Sequence, residues 1–307
     1  MHSINTLFAF IHTKLLSYYQ NNKIAYFVSN QLIKLIFKKD YILIEKNHKI
    51  SDETIILFKK YIHDITIMHM PYQYIIQEVF FCNTRINVKP PVLIPRIETE
   101  ELVHWIIEKL NQCKNDFLTI VDFCSGSGCI GIALLHYFHN SKCTAFDICH
   151  DAITMSAFNA RINGVKNRYT IYQKDILNLK KNKKYDIIIS NPPYIPFINY
   201  NNLDPSVKNW ESPLALTDQK NGYTLILYLL KTSRTKLNAD GLIIIEIDHS
   251  YAHFILAEAS KIYKKELVFL WSDQYGKQRA IIIVKGRFSN FFIDFHIFVL
   301  LLFFHIQ

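Results

Sequence analysis

The sequence predicts an α/β fold, in which a mixed seven-stranded sheet with helices on both faces follows a small helical domain. Short β-branched runs such as Ile187-Ile188-Ile189 are typical of strands buried on both faces. Helical patterns alternate with these runs, which is typical of parallel βαβ units. Residues 1–80 lack such runs and instead place apolar residues at helical spacing.

The composition is that of a globular protein with a basic surface. The 307 residues suffice for roughly two domains of ~100–200 residues each. Lys and Arg number 35 against 26 Asp and Glu, a net charge of +9. That charge suits an acidic partner such as RNA. The abundance of Lys, Asn and Ile is also typical of AT-rich coding sequences, which would give the same charge without a nucleic-acid partner.

The cysteines and the N-terminus predict a cytoplasmic protein without metal. No Cys-x-x-Cys pair occurs, and the histidines lack metal-site spacing, so we expect reduced thiols and no bound metal. The cysteines are Cys82, Cys113, Cys124, Cys129, Cys143 and Cys149. The first residues show neither a basic segment nor a cleavage site, so no signal peptide is expected.

Helix signals in the first third of the chain predict a small bundle and a linking helix. In residues 51–62, Ser51 is a predicted N-cap, with Asp52 and Glu53 in the first turn. Residues 71–101 then read as a hairpin-like stretch that enters a helix, for which Thr99 is the predicted N-cap.

The next segment predicts a nucleoside site. A strand at residues 117–123 runs into the turn Cys124-Ser125-Gly126-Ser127-Gly128 and a helix, whose N-terminus favours a carboxylate. Asp147 ends the following strand, where an acid can bind ribose hydroxyls. Asp175 follows the third strand, and either an adenine contact or a simple turn fits it.

The most informative stretch is Asn191-Pro192-Pro193-Tyr194, directly after the strand 187–189. Prolines cannot extend a ladder, so a stiff loop lies at the strand's carboxyl end, where α/β sheets bind ligands. The Asn191 side-chain oxygen and the Pro192 carbonyl can hold an NH2 group, and Tyr194 can stack on a planar target. A proline-rich turn without chemistry is the alternative.

Separated stretches together resemble the HemK/PrmC family of release factor N5-glutamine methyltransferases. They are Pro71-x-x-Tyr74-Ile75, Leu93-Ile94-Pro95-Arg96-Ile97-Glu98-Thr99-Glu100, the glycine loop, Asn191-Pro192-Pro193-Tyr194, Glu211-x-Pro213-x-Ala215-Leu216 and Asp273-x-x-Gly276-x-x-Arg279. The resemblance implies a class I S-adenosylmethionine-dependent methyltransferase fold, with a Rossmann-like seven-stranded sheet and a helical N-terminal domain. It also implies release factors as partners.

The resemblance implies roles for particular residues. The expected cofactor contacts are Cys124, Ser125, Gly126, Ser127, Gly128, Asp147, Asp175, Ile176 and Asn191. The expected substrate contacts are Asn191, Pro192, Pro193 and Tyr194, of which Asn191, Pro192 and Tyr194 are the expected catalytic residues. The sequence departs from the family pattern where Cys124 replaces a glycine, Ile97 a proline and Ile176 an aromatic residue, and where residues 218–222 lack a Gly-Gly-x-Asp-Gly pattern.

Other functions remain open on the loop alone. The same Asn-Pro-Pro-Tyr loop serves DNA adenine and ribosomal RNA guanine methyltransferases, and the altered glycines also suit a cofactor-binding protein without catalysis. Residues 195–203 contain neither Lys nor Arg, which favours a protein substrate over stable nucleic-acid binding. A monomer is expected.

The predicted boundaries are 1–80 for the helical substrate-binding domain, 81–286 for the methyltransferase domain and 287–307 for an apolar extension. The clean apolar run, 297–304, is far shorter than the ~20 residues of a membrane helix. We therefore expect a surface extension, with a weak membrane anchor as the alternative. A chain ending at Lys285 is expected to fold and function.

Overall fold

The computed structural model describes residues 3–46, 48–179, 183–264 and 266–292. The helices are α1 (Ile4–Tyr19), α2 (Asn22–Phe37), α3 (Asp52–Thr66), α4 (Tyr72–Ile76), α5 (Ile97–Lys109), α6 (Cys129–Tyr137), α7 (His150–Ile162), α8 (Phe197–Tyr200), α9 (Pro205–Lys208), α10 (Pro213–Leu216), α11 (Thr224–Lys236) and α12 (Ala252–Ile262). The strands are β1 (Glu78–Phe81), β2 (Thr84–Asn87), β3 (Thr119–Phe123), β4 (Lys142–Asp147), β5 (Tyr169–Gln173), β6 (Tyr185–Ser190), β7 (Leu237–Glu246), β8 (Leu267–Ser272) and β9 (Gln278–Lys285).

The chain forms two compact units. One contains the residues up to Glu78 together with Asp204–Trp210, and the other contains Val79–Leu203 and the chain from Glu211 onward. In the helical unit, Ser51 caps α3 as predicted, because its side chain accepts a hydrogen bond from the Thr54 backbone. The apolar faces of α1, α2 and α3 enclose one core, which contains Leu7, Ile11, Leu15, Val28, Leu32, Phe58 and Ile65.

The second unit contains a seven-stranded sheet in the order β5-β4-β3-β6-β7-β9-β8. The pairs from β5 to β7 are parallel, whereas β9 pairs antiparallel with both β7 and β8. The predicted mixed seven-stranded sheet is therefore confirmed. A separate two-stranded sheet, β1 with β2, precedes it.

Helices cover both faces of this sheet. Successive strand residues point alternately to one face and to the other, so each strand packs against helices on both sides. Val121, Ile188 and Ile243 share a buried cluster with residues of α11 and α12. Asp122, the next residue along β3, points the other way, and its Oδ2 accepts a hydrogen bond from the Gly131 backbone of α6 at 3.1 Å. The strands are thus buried on both sides, which explains their nearly continuous apolar composition.

The loop between β3 and α6 turns sharply at residues with positive φ. Cys124 has φ 59°, Gly126 54° and Gly128 81°. A Cβ on Gly128 would lie 2.4 Å from the Ser156 hydroxyl, so only glycine fits there. Cys124 takes a left-handed conformation that L side chains rarely adopt, which accounts for the family's glycine at this place.

The helix α5 begins earlier than predicted. It starts at Ile97 with Arg96 in the N-cap position, and no side chain caps it. Thr99 lies inside the first turn and is not the N-cap, because its hydroxyl bonds instead to the buried carboxylate of Glu246 at 2.7 Å. The N-cap prediction for Thr99 is therefore wrong, since a tertiary partner replaced the local one.

The start of the predicted extension belongs to the core of the sheet unit. Phe288 and Phe292 are fully buried, and the Phe292 ring lies 5.4 Å from the Trp105 ring. A chain ending at Lys285 would lose both rings and expose the surfaces that they cover, so its normal folding stays a prediction, and this burial opposes it. Residues 293–307, with the apolar run 297–304, lie outside the described residues. Within the described ranges, no helix is both long and apolar enough to cross a membrane.

We expect Phe292→Ala to lower the free energy of unfolding by about 3–5 kcal/mol, the usual cost of emptying a buried aromatic site. Denaturant unfolding would measure the loss. Phe117→Ala is the matched control, because Phe117 is 60% exposed, and it should change stability far less. Equal effects of the two substitutions would contradict the assignment of Phe292 to the core.

The strain at Cys124 gives a second test. Cys124→Gly and Cys124→Ala both remove the thiol but differ in the Cβ at a positive φ. We expect the glycine variant to be more stable than the alanine variant by about 1 kcal/mol, reversing their usual order. Thermal unfolding of the pair measures this difference, and a more stable alanine variant would show that no strain is present.

Candidate functional site

The parallel register brings the predicted site residues to one edge of the sheet. Phe123 pairs with Phe146 on one side and with Ser190 on the other. The residues that follow these three, Cys124, Asp147 and Asn191, therefore leave the sheet at the same level. Their adjacency follows from strand pairing alone.

A cavity of about 500 Å³ opens at this edge. That volume suits a small-molecule or cofactor site. The predicted site residues that line it are Cys124, Gly126, Asp147, Asp175, Ile176, Asn191 and Pro193. Apolar side chains including Ile148, Leu177 and Leu214 complete its walls.

Other predicted site residues adjoin the cavity-lining ones in sequence and are not part of the lining. Ser125 and Ser127 are buried in the glycine loop, and the Ser127 carbonyl accepts a hydrogen bond from Asn159 Nδ2 at 2.9 Å. Gly128 precedes α6, and Pro192 is buried. These residues, like Tyr194, are not among those that line the cavity.

The Asp147 carboxylate is fixed at the cavity by two backbone donors. Gly126 N–H donates to Oδ2 at 2.8 Å, and Cys149 N–H donates to Oδ1 at 2.9 Å. Burial raises the pKa of Asp147, while these backbone hydrogen bonds act in the opposite direction. Each oxygen keeps a further lone pair, so the carboxylate can still accept from a ligand.

Asp175 and Ile176 both line the cavity and also take part in the local structure beside it. Asp175 Oδ1 accepts from Leu177 N–H at 2.9 Å, and its Oδ2 accepts from Asn178 Nδ2 at 3.0 Å. The turn interpretation of Asp175 thus describes its bonds, and its adenine contact stays a prediction. Ile176 packs in the core and also presents an apolar surface to the cavity.

The Asn-Pro-Pro-Tyr loop is held by residues that do not line the cavity. Asn191 Nδ2 donates to the Thr99 hydroxyl at 3.1 Å, and the Tyr194 hydroxyl donates to Glu246 Oε1 at 3.0 Å. The Tyr251 hydroxyl in turn donates to the Tyr194 carbonyl at 2.7 Å. Burial raises the pKa of Tyr194 well above its usual value, so this hydroxyl remains a donor.

Glu246 is the buried carboxylate on which these bonds converge. It is 3% exposed and accepts from Thr99 on one oxygen and from Tyr194 on the other. Burial raises its pKa to about 7, the hydrogen bonds and Arg279 oppose that shift, and Glu98 adds to it. Glu246 was not among the predicted site residues, and Thr99 was predicted as an N-cap. The sequence signal for Glu246 was its position, because it is an acidic residue at the end of the otherwise apolar run of β7.

Three ion pairs involve the remaining signature stretches. Arg96 pairs with the fully buried Glu211 carboxylate. Arg279 pairs with Asp273 at 2.8 Å and with Glu98 at 3.7 Å. Segments more than a hundred residues apart in sequence are thus fixed beside the loop. Among the residues that the structure describes, no group of His, Cys, Asp or Glu is arranged to hold a metal ion.

The chain is similar to known proteins in sequence and in fold. The family model described as "Methyltransferase small domain" matches residues 103–201. The hMettl16 catalytic domain, solved in complex with MAT2A 3'UTR hairpin 6, is similar in fold with a TM-score of 0.52 at 12% identity, over 77% of this chain and 83% of that chain.

Curated relatives are similar over about two thirds of the chain. The release factor glutamine methyltransferase of Lactococcus lactis is 36% identical over 69% of this chain and 76% of its own length. The release factor glutamine methyltransferase of Moorella thermoacetica is 35% identical over 69% of this chain and 74% of its own length. This degree of identity, together with the methyltransferase sheet and the loop after β6, shows that the chain belongs to the release factor glutamine methyltransferase family.

Proposed function

We propose that this protein transfers a methyl group from S-adenosylmethionine to the glutamine side-chain amide in the Gly-Gly-Gln motif of peptide chain release factors. One observation carries the proposal. The nitrogen of the Asn191 amide is engaged by Thr99, so its oxygen remains to accept from a ligand in the cavity. The names of the relatives supply the substrate class.

The cavity residues fit the proposed cofactor. Cys124 and Gly126 of the loop at the start of α6 line the cavity, and this helix N-terminus suits the cofactor's carboxylate. Asp147 keeps free lone pairs for the ribose hydroxyls. Apolar Ile148, Ile176 and Leu177 suit the faces of adenine, and Asp175 suits its amino group. When bound, the cofactor supplies an electrophilic methyl group.

The contribution of the chain itself is orientation. The Asn191 oxygen and the Pro192 carbonyl hold the two N–H bonds of the substrate amide, which fixes the direction of its nitrogen. Pro193 and Tyr194 shape a stiff surface for the planar amide. Such orientation is worth up to ~7–11 kcal/mol of a barrier. The proton released from the nitrogen is expected to pass to water.

The surroundings of the loop support a protein substrate. Phe197 and Ile198 of α8 are 55% and 83% exposed, and Leu214 at the cavity is 48% exposed. Segment 195–203 has no basic residue to attract phosphates. We propose that these apolar side chains contact the release factor and that the helical unit offers it a second surface. No stable nucleic-acid binding is expected, and the protein is proposed to act as a monomer.

The cysteines support a reducing compartment for this activity. The six thiols are free, and Cys113, Cys129 and Cys143 among them are buried. Unpaired cysteines at this number are typical of proteins kept reduced in the cytoplasm, the location we propose.

The cofactor site is tested by calorimetry with S-adenosylmethionine. We expect Asp147→Ala to weaken binding by about 1.5–3 kcal/mol through loss of charge-assisted hydrogen bonds. Asp248→Ala is the matched control, because Asp248 also accepts from the backbone two residues ahead, at 2.8 Å, but does not line the cavity. Unchanged affinity in Asp147→Ala would remove Asp147 from the cofactor site.

The substrate is tested with a labelled methyl donor. Four acceptors are compared: purified release factor, a release factor with the motif Gln→Ala, duplex DNA and ribosomal RNA. We expect label on the intact release factor alone, because the site needs a planar NH2 that reaches it without base flipping. Label on a nucleic acid with none on the factor would overturn the proposal.

A further inference from the structure

The Thr99 hydroxyl lies between the amide of Asn191 and the carboxylate of Glu246. Its oxygen is 3.1 Å from Asn191 Nδ2 and 2.7 Å from Glu246 Oε2. Thr99 is 2% exposed and Glu246 3%, so water cannot easily replace either bond. The three side chains come from α5, β7 and the loop after β6, and they form one chain of hydrogen bonds that ends at the cavity.

The number of available protons determines which group donates in each of these hydrogen bonds. A hydroxyl has one proton to donate, and an ionised carboxylate can only accept. When Glu246 is ionised, Thr99 must therefore donate to it, and the Thr99 oxygen can then only accept. Asn191 consequently turns its NH2 toward Thr99 and leaves its oxygen at the cavity.

We propose that Thr99 and Glu246 are positioning residues that decide which end of the Asn191 amide faces the substrate, and that ionised Glu246 selects the acceptor end. The inference rests on the proposed function, because it concerns how Asn191 meets a substrate NH2. It adds two residues that act through Asn191 and do not themselves touch the reacting atoms.

Protonation of Glu246 would reverse the direction of these hydrogen bonds. A proton taken from solvent onto Oε2 makes Glu246 the donor and Thr99 the acceptor. The Thr99 proton is then free to turn toward Asn191, whose oxygen can accept it when the amide rotates. Asn191 would present its NH2 to the NH2 of the substrate, and two donors cannot bond. Methyl transfer therefore needs the ionised form.

The groups around Glu246 place this switch in an accessible pH range. Tyr194 donates to its other oxygen, Arg279 on β9 favours the charged form, and Glu98 on α5 opposes it. Burial is the largest effect, and it raises the pKa of Glu246 to about 7. Activity should therefore rise with pH through neutrality and fall below it. A glutamine amide does not titrate there, so the substrate does not contribute such a step.

The test measures kcat against pH for methyl transfer to purified release factor. For the wild-type protein we expect a rise centred near pH 7. For Thr99→Val and Glu246→Gln we expect kcat to fall roughly 10- to 100-fold and the rise to flatten, as for one misdirected hydrogen bond. Thr99→Ser keeps the hydroxyl and should keep both kcat and the pH profile. Affinity for S-adenosylmethionine, measured by calorimetry, should stay the same in all of them.

Thr119→Val is the matched control. The Thr119 hydroxyl donates to Asp186 Oδ2 at 2.7 Å, the same kind of bond at the start of β3 and away from the cavity. Its loss should leave kcat and the pH profile unchanged. If Glu246→Gln fails to fold, the comparison of Thr99→Val with Thr99→Ser decides.

The outcomes separate the inference from the proposed function. Wild-type kcat and pH dependence in Thr99→Val, while the wild-type protein labels the release factor, would overturn the inference and leave the function intact. Equal loss in Thr99→Ser and Thr99→Val would also overturn it, since only packing would then matter. No label on release factor with the wild-type protein would overturn the function and the inference together.

Discussion

The parallel pairing of β3 with β4 and β6 is the constraint on which the site depends. Phe123 is opposite both Phe146 and Ser190, so three loops begin side by side at the carboxyl edge. The pairing of Ser190 with Ile245 extends the alignment to β7 and brings Glu246 level with Asn191. A slip of one residue in any of these pairs would turn the side chains to the other face and separate them.

Buried charges hold these loops in place, and each has specific partners. Glu211 meets Arg96, Asp273 meets Arg279, and Glu246 accepts two hydroxyl hydrogen bonds. A buried carboxylate without partners would cost several kcal/mol, so the arrangement is stable only when distant segments meet correctly. The polar network therefore contributes more to the specificity of the geometry than to stability. It fixes the loop after β6 on one side and leaves the other side open to the cavity.

The sequence was sufficient for the sheet, for the glycine turn and for the position of the Asn-Pro-Pro-Tyr loop, because these follow from local patterns along β3, β4 and β6. It was not sufficient for Thr99, since a threonine near a helix start has the same local signal whether it caps the helix or bonds to Glu246. The burial of Phe292 was missed for a similar reason. An aromatic residue near the end of the chain gives no local signal of burial, because its contact with the Trp105 ring forms only in the folded structure.

Recognition of an NH2 group and choice of substrate are separable in this molecule. The acceptors at Asn191 and Pro192 serve any planar NH2, so they cannot distinguish glutamine from adenine or guanine. Discrimination must come from what surrounds the cavity, where α8 exposes Phe197 and Ile198 and segment 195–203 has no basic residue, while Lys174 and Lys220 line the cavity itself. The net charge of +9 is a property of the whole chain, and it carries little information about the substrate. Local charge and polarity beside the reacting group, and not the total, determine which class of molecule can approach it.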